Sequence, residues 1–176
     1  MPRQTRSPFP TIRNLTNLLR LAKAKTQYPQ SPDDLRVIVH EGGPHLSERK
    51  PELIWVRSTG VEGNVFTGLL LQKPSRLKNV KRGSKIQFIK PMASAFPLLV
   101  TREYVAERQT WRVLAPCKQC GLTELFDPPS QLLSKTFPSV TQQMIVRGFT
   151  FTTRCGWCEG TMVIRIKRSH WPWQPE

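Results

Sequence analysis

The residues of this chain with the plainest chemical meaning are its four cysteines. They fall as Cys117-Lys-Gln-Cys120 and Cys155-Gly-Trp-Cys158, with 34 residues between the pairs. Two residues between sulfurs let one tight turn offer both thiolates to a single ion, and two such turns supply the four corners of a tetrahedron. The spacing predicts one structural Zn2+ held by Cys117, Cys120, Cys155 and Cys158. Other readings compete with it. A redox pair of thioredoxin type is a single motif in a βαβ setting. Two disulfides call for an oxidising compartment, and Met1-Pro-Arg-Gln-Thr-Arg6 is followed by no apolar segment of the kind a secretory signal carries. A catalytic or redox-regulated zinc needs an open ligand position, and four cysteines fill the shell.

Both knuckles need strands to hold them. Thr110–Ala115 and Leu122–Phe126 flank the first pair, and Met144–Thr153 and Thr161–Lys167 flank the second. All are rich in β-branched and aromatic residues, as strands require. Gly121, Gly156 and Gly160 stand at the knuckles, where positive φ or close backbone approach is expected. On these features the C-terminal part resembles the four-cysteine zinc ribbons, with each knuckle at a hairpin turn.

Upstream, Ile12, Leu15, Leu18, Leu19 and Ala22 lie at helical spacing behind a Thr11 N-cap, which predicts an amphipathic helix over 11–27. Its apolar stripe suits packing on a sheet, although its Arg and Lys residues also suit a membrane surface or phosphates. From 35 to 90 the period falls to two. Strands are expected at 35–40, 53–57, 65–71 and 85–90, with turns at Glu41–Pro44 and Val61–Asn64. Leu98–Val100 can add a strand, and residues 102–108 a short helix or linker. The proline-rich insert from Asp127 to Ser139 reads as a loop with one helical turn.

Residues 53–90 carry Leu53-Ile-Trp55-Val, then Gly63-Asn64-Val-Phe66-Thr-Gly68, a Lys73-Pro74 step and Leu77-Lys-Asn-Val80-Lys-Arg-Gly83. This run of about 40 residues resembles the YegJ-like family of uncharacterised bacterial domains. The resemblance implies a small α+β fold and no chemistry. The family continues into an acidic-tryptophan step where this chain has Pro91-Met-Ala-Ser-Ala-Phe96.

The expected fold class is therefore α+β: an N-terminal helix with a small antiparallel β meander, then a zinc-ribbon-like β module. The expected organisation is a basic arm (1–10), a YegJ-like domain (11–95), a linker (96–109), the ribbon-like domain (110–168) and a Trp/Pro tail (169–176).

Function has to be read from charge. The 176 residues carry a formal net charge of +15, which favours polyanionic partners. Lys73, Arg76, Lys78, Lys81, Arg82, Lys85 and Lys90 are seven cations in eighteen residues with no carboxylate among them. Such a cluster suits phosphate contacts. Arg165, Lys167 and Arg168 follow the second knuckle, and Trp157 inside it is expected near an exposed tip. Trp171 and Trp173 could stack on bases or staple the tail, while Trp55 and Trp111 read as core. His40 and His45 flank a Gly-Gly-Pro turn near Glu41 and Glu48, but polar-loop histidines are more often only solvated. No nucleophile–base set, carboxylate pair or phosphate-binding glycine loop is evident. The expected function is a non-enzymatic, cytoplasmic zinc protein that binds nucleic acid or a ribonucleoprotein. The alternative is a protein-interaction or regulatory module with the ribbon as scaffold. No run of eighteen apolar residues exists to span a membrane.

Overall fold

A computed structural model of the protein describes residues 31–92, 94–139 and 148–167. The arm at 1–10, the helix expected over 11–27, Arg168 and the tail at 169–176 lie outside the described residues. The described chain is mixed helix and strand, and mostly sheet. No described helix is long and apolar enough to cross a membrane.

The period-two stretch forms β1 (Asp34–Val39), β2 (Glu52–Glu62), β3 (Val65–Leu70) and β4 (Lys85–Ile89). Each pairs antiparallel with the next. The sequence reading stops at an open meander, and here the structure corrects it. Leu98–Val100 forms β5, which pairs antiparallel with β4 and parallel with β1, so the five strands close into a barrel. Closure needs only a short contact: Ile38 N–H donates to Pro97 O at 2.8 Å. It leaves these strands no free edge, the usual liability of an open sheet.

The barrel interior is lined by alternate residues, among them Leu35, Val37 and Val39 of β1, Phe66 of β3, Ile86 and Phe88 of β4, and Leu99 of β5. Gly68 is required where β3 crosses this core. A Cβ there would come within 2.5 Å of Val56 Cγ1 and 2.8 Å of Arg57 O.

The intervening residues Ile38, Ile89, Leu98 and Val100 are also buried, on the outside of the barrel. A strand apolar on both faces needs a second layer. The C-terminal half supplies it. Helix α1 (Arg102–Glu107) and a 3-10 turn (Arg108–Thr110) lead into a three-stranded sheet of order β6-β8-β7. Its strands are β6 (Trp111–Ala115), β7 (Thr150–Arg154) and β8 (Thr161–Ile166). Trp111, Phe151, Met162, Ile164 and Ile166 join the outer barrel residues in one continuous core.

Two ribbon expectations change. Leu122–Phe126 is not a strand; it runs as irregular chain that buries Leu122, Leu125 and Phe126. Glu124 in that run accepts from Tyr104 Oη at 2.5 Å and from Arg108 at 2.8 Å. The first knuckle therefore opens onto packed loop, and only the second sits at a hairpin turn. The insert holds more than one helical turn: α2 spans Pro129–Thr136 and buries Leu132 and Leu133. Proline at its first position costs nothing, because that N–H has no helical partner anyway. The N-cap Pro128 has no hydrogen-bonding group on its side chain, and Glu107 of α1 accepts from Ser130 N (3.0 Å) and Ser130 Oγ in its place.

Candidate metal centre and basic surface

The two knuckles are the same turn built twice. In the first, Cys117 N–H donates to Leu122 O at 3.0 Å and Gly121 N–H to Cys117 O at 2.9 Å. In the second, Cys155 N–H donates to Gly160 O at 2.7 Å and Glu159 N–H to Cys155 O at 2.9 Å. The residue four after the leading cysteine is left-handed in both. It is Gly121 in one, at φ +72°, and Glu159 in the other, at φ +62°. The three glycines expected to matter do so for different reasons. Gly121 supplies the positive φ. Gly160 leaves room for a sulfur, since a Cβ there would lie 2.7 Å from Cys117 Sγ. Gly156 leaves room for the Phe126 ring.

All four Sγ atoms lie within 4.8 Å of one another. Cys117 and Cys158 sulfurs are 3.3 Å apart, and those of Cys120 and Cys155 3.6 Å apart, so each close pair bridges the knuckles. A tetrahedral ion with metal–sulfur bonds of about 2.3 Å sets its sulfurs about 3.8 Å apart. The cluster fits that geometry, and an all-thiolate tetrahedral set suits a thiophilic ion such as zinc or iron. Burial pushes the Cys117 thiol up, but the N–H groups of Cys120 and Gln119 and the neighbouring sulfurs outweigh it and bring it down to about 7. Burial pushes Cys120 up to about 11 and raises Cys155 as well. Burial alone thus disfavours thiolates at Cys120 and Cys155, a cost that a bound cation would offset.

The β3–β4 loop presents the basic cluster. Lys73, Arg76, Lys78, Lys81, Arg82 and Lys85 are exposed. Lys90 is not part of this display; it is half-buried, and its Nζ donates to Ser94 O. Burial lowers its pKa. The loop has no carboxylate in sequence, yet two reach its backbone from elsewhere. Glu52 accepts from Ser75 N (2.9 Å), Ser75 Oγ (2.7 Å), Arg76 N (2.6 Å) and Leu77 N (3.3 Å). Glu41 accepts from Lys78 N (2.6 Å), Asn79 N and the Arg49 guanidinium. Burial opposes ionisation of both, but these donors prevail and hold them below the usual carboxylate range. Leu77, buried in the barrel core, pins the middle of the loop.

A second basic strip lies on the ribbon sheet. Arg165 sits directly opposite Arg112 across β8 and β6, and the exposed Lys167 follows. Like charges in register are unfavourable without an anion nearby. Sequence reading missed Arg112, because only the register places it beside Arg165. Trp157, expected near an exposed tip, is instead half-buried against the shared core, and its backbone N–H points at Cys155 Sγ at 3.4 Å.

The histidine group does not assemble as a site. His40 is buried, donates from Nε2 to Leu99 O at 2.9 Å and accepts at Nδ1 from Gly42 N at 3.2 Å. Its ring stacks on Phe126 with centroids 4.2 Å apart. Both nitrogens are occupied and burial lowers its pKa to about 4, so it is a neutral core histidine. Glu41 is committed to the loop. His45 buries its Nε2 without a hydrogen-bond partner. Asp127 was not singled out in the sequence. It accepts from Gly43 N at 2.7 Å, linking ribbon half to barrel half, and burial pushes it up to about 6. His40 and Asp127 line a cavity of about 390 Å3 at this junction.

Comparison of the chain with protein-family models, curated proteins and solved structures finds no match to any of them.

The paired knuckles predict opposite responses to two substitutions. Gly121→Ala should cost about 1 kcal/mol and Glu159→Gly should gain about 1 kcal/mol, because only glycine adopts positive φ freely. Urea unfolding of metal-loaded protein checks both, and shifts of the same sign would break the equivalence of the loops.

Asp127 and His40 should oppose each other in acid. A raised Asp127 stabilises the fold below 3.8 and loses that contribution as pH rises through about 6. A lowered His40 contributes above 6.5 and loses its contribution as pH falls to about 4. Asp127→Asn keeps an acceptor for Gly43 and removes one side of the balance. Its stability relative to wild type should rise by about 3 kcal/mol across the Asp127 window. A flat difference over that range, measured by urea unfolding at stepped pH, would contradict the assigned burial.

Proposed function

We propose that this is a non-enzymatic protein, stabilised by one structural Zn2+ on Cys117, Cys120, Cys155 and Cys158, that binds nucleic acid through its basic surfaces. The observation that carries the binding reading is the β3–β4 loop. Its exposed cations project from a backbone whose N–H groups are taken up by Glu41 and Glu52. Carboxylates so placed anchor the main chain, and the side-chain charge is left to face outward. Anchored cations lose less entropy on meeting phosphates than cations on a free loop would. The Arg112–Arg165 pair adds a second positive strip on the ribbon sheet. Zinc would fill a closed shell and act on folding, with no position left for a substrate.

Metal analysis should find about one zinc per chain. Cys120→Ser or Cys158→Ser should release it and abolish near-UV circular dichroism from the ribbon half, since structural zinc supplies on the order of 10 kcal/mol of folding free energy. Affinity for oligonucleotides should fall steeply with salt, with a log–log slope of about −3.5 if about five phosphates are contacted. Replacing Lys78, Lys81 and Arg82 together by Ser should flatten that slope by about 2. A salt-independent affinity, or retention of a protein partner with no retention of nucleic acid, would sink the reading in favour of an interaction module.

A further inference from the structure

A groove of about 270 Å3 runs between the 42–51 segment and the second knuckle. Trp157 and Glu159 form its knuckle side, and Pro44, Arg49 and Lys50 its barrel side. Arg76 also lines it and belongs to the β3–β4 loop, so the groove borders the basic surface. We propose that this groove is a base-stacking subsite for single-stranded nucleic acid. One unpaired base would lie against Trp157, and the adjoining phosphates would meet Lys50 and Arg76. The inference rests on the nucleic-acid reading above and names the form of nucleic acid that it takes.

Three features carry it. Trp157 is fixed before any ligand arrives. It lies between two cysteines of the cluster, its backbone N–H is directed at Cys155 Sγ and holds the main chain, and its side chain packs partly on the core. A tryptophan held this way stacks on a base at little entropic cost. The cations all come from the barrel half. Arg49 is held by Glu41, Lys50 is exposed, and Arg76 is held at its backbone by Glu52. Carboxylates line the groove too, Glu48 and Glu159. A plain anion site would exclude them. A nucleotide does not, because its base carries amino groups for a carboxylate to accept while its phosphate takes the cations.

Glu159 supplies the third argument. It holds φ +62° in a turn whose twin uses glycine at the same place. A glycine would be easier for the fold, so the carboxylate is retained at a cost in stability, as functional positions often are. Its neighbour in the groove is Trp157. The base in a duplex is stacked inside and offers neither its face nor its pairing edge, so the site selects single strands.

The test uses the full zinc-loaded chain and fluorescence anisotropy with a short labelled single-stranded RNA, its DNA counterpart and the same sequence as duplex. Wild type should prefer the single strands by at least about ten-fold. Trp157→Ala should lower single-strand affinity about ten- to hundred-fold with the salt slope unchanged, and Trp157→Phe should recover most of it. Glu159→Gly, a variant expected to be more stable than wild type, should bind single strands more weakly. The triple Lys78, Lys81, Arg82→Ser variant should lose affinity for all three probes. If that variant weakens binding while Trp157→Ala and Glu159→Gly bind as wild type does, the groove inference is overturned and the basic-surface reading stands. Equal affinity for duplex and single strand would also overturn it. If wild type binds none of the probes, both fall. Should Trp157→Ala lose zinc, Glu159→Gly decides the matter, and single-strand affinity equal to wild type in that variant overturns the inference.

Discussion

Four cysteine sulfurs within 4.8 Å of one another are the constraint on which the C-terminal half depends. Burial raises Cys120 and Cys155, while backbone N–H groups and the neighbouring sulfurs draw Cys117 down. Such a cluster is not a strong organiser as neutral thiols. As thiolates around a dication it would fix two loops, and through them β6, β7 and β8. Gly160 shows how closely the knuckles are fitted, because nothing larger than hydrogen fits beside Cys117 Sγ. The three-stranded sheet above has too few strands to enclose a core. It completes one by packing on the outer face of the barrel. Cysteine cluster, sheet and barrel exterior therefore form one connected unit.

The barrel is built for that partnership. β1 buries Leu35, Val37 and Val39 inward and Ile38 outward, and β5 does the same with Leu99 against Leu98 and Val100. At the seam, Phe126 stacks on His40, and Asp127 accepts from Gly43. Both polar groups are taken out of water where hydrogen bonds partly replace it. Burial shifts them in opposite senses, so their proton uptake tends to cancel across mildly acid pH. The joint carries two costly groups with a weaker pH dependence than either alone would impose.

What was legible in the sequence follows from how local each signal is. The cysteine spacing and the alternation of β1 to β4 are short-range patterns, and they place the cluster and most of the barrel strands. Barrel closure was not legible, because β5 has three residues and meets β1 through a single register pair, Ile38 with Leu98. The length of α2 was obscured by Pro128 and Pro129, which read as a break although proline is tolerated at a helix start. The anchoring of the basic loop by Glu41 and Glu52 joins residues 23 to 38 apart, and composition alone suggested a stretch free of carboxylates. Arg112 and Asp127 escaped notice for the same reason: each matters through a neighbour that only the fold supplies.

The two knuckles finally differ in what surrounds them. Their hydrogen bonds match, so a metal on the four sulfurs would ask the same of both. The first carries Lys118, Gln119 and Cys120 at the surface and places glycine at its strained position. The second faces the 42–51 segment and Arg76, carries a tryptophan between its cysteines and accepts a glutamate where glycine would be easier. Metal binding cannot explain that asymmetry, since either turn would serve a four-sulfur site equally well. The departure from the easier residue lies where the knuckle meets the basic loop, and the proposed base-stacking groove would place its demand on that knuckle only.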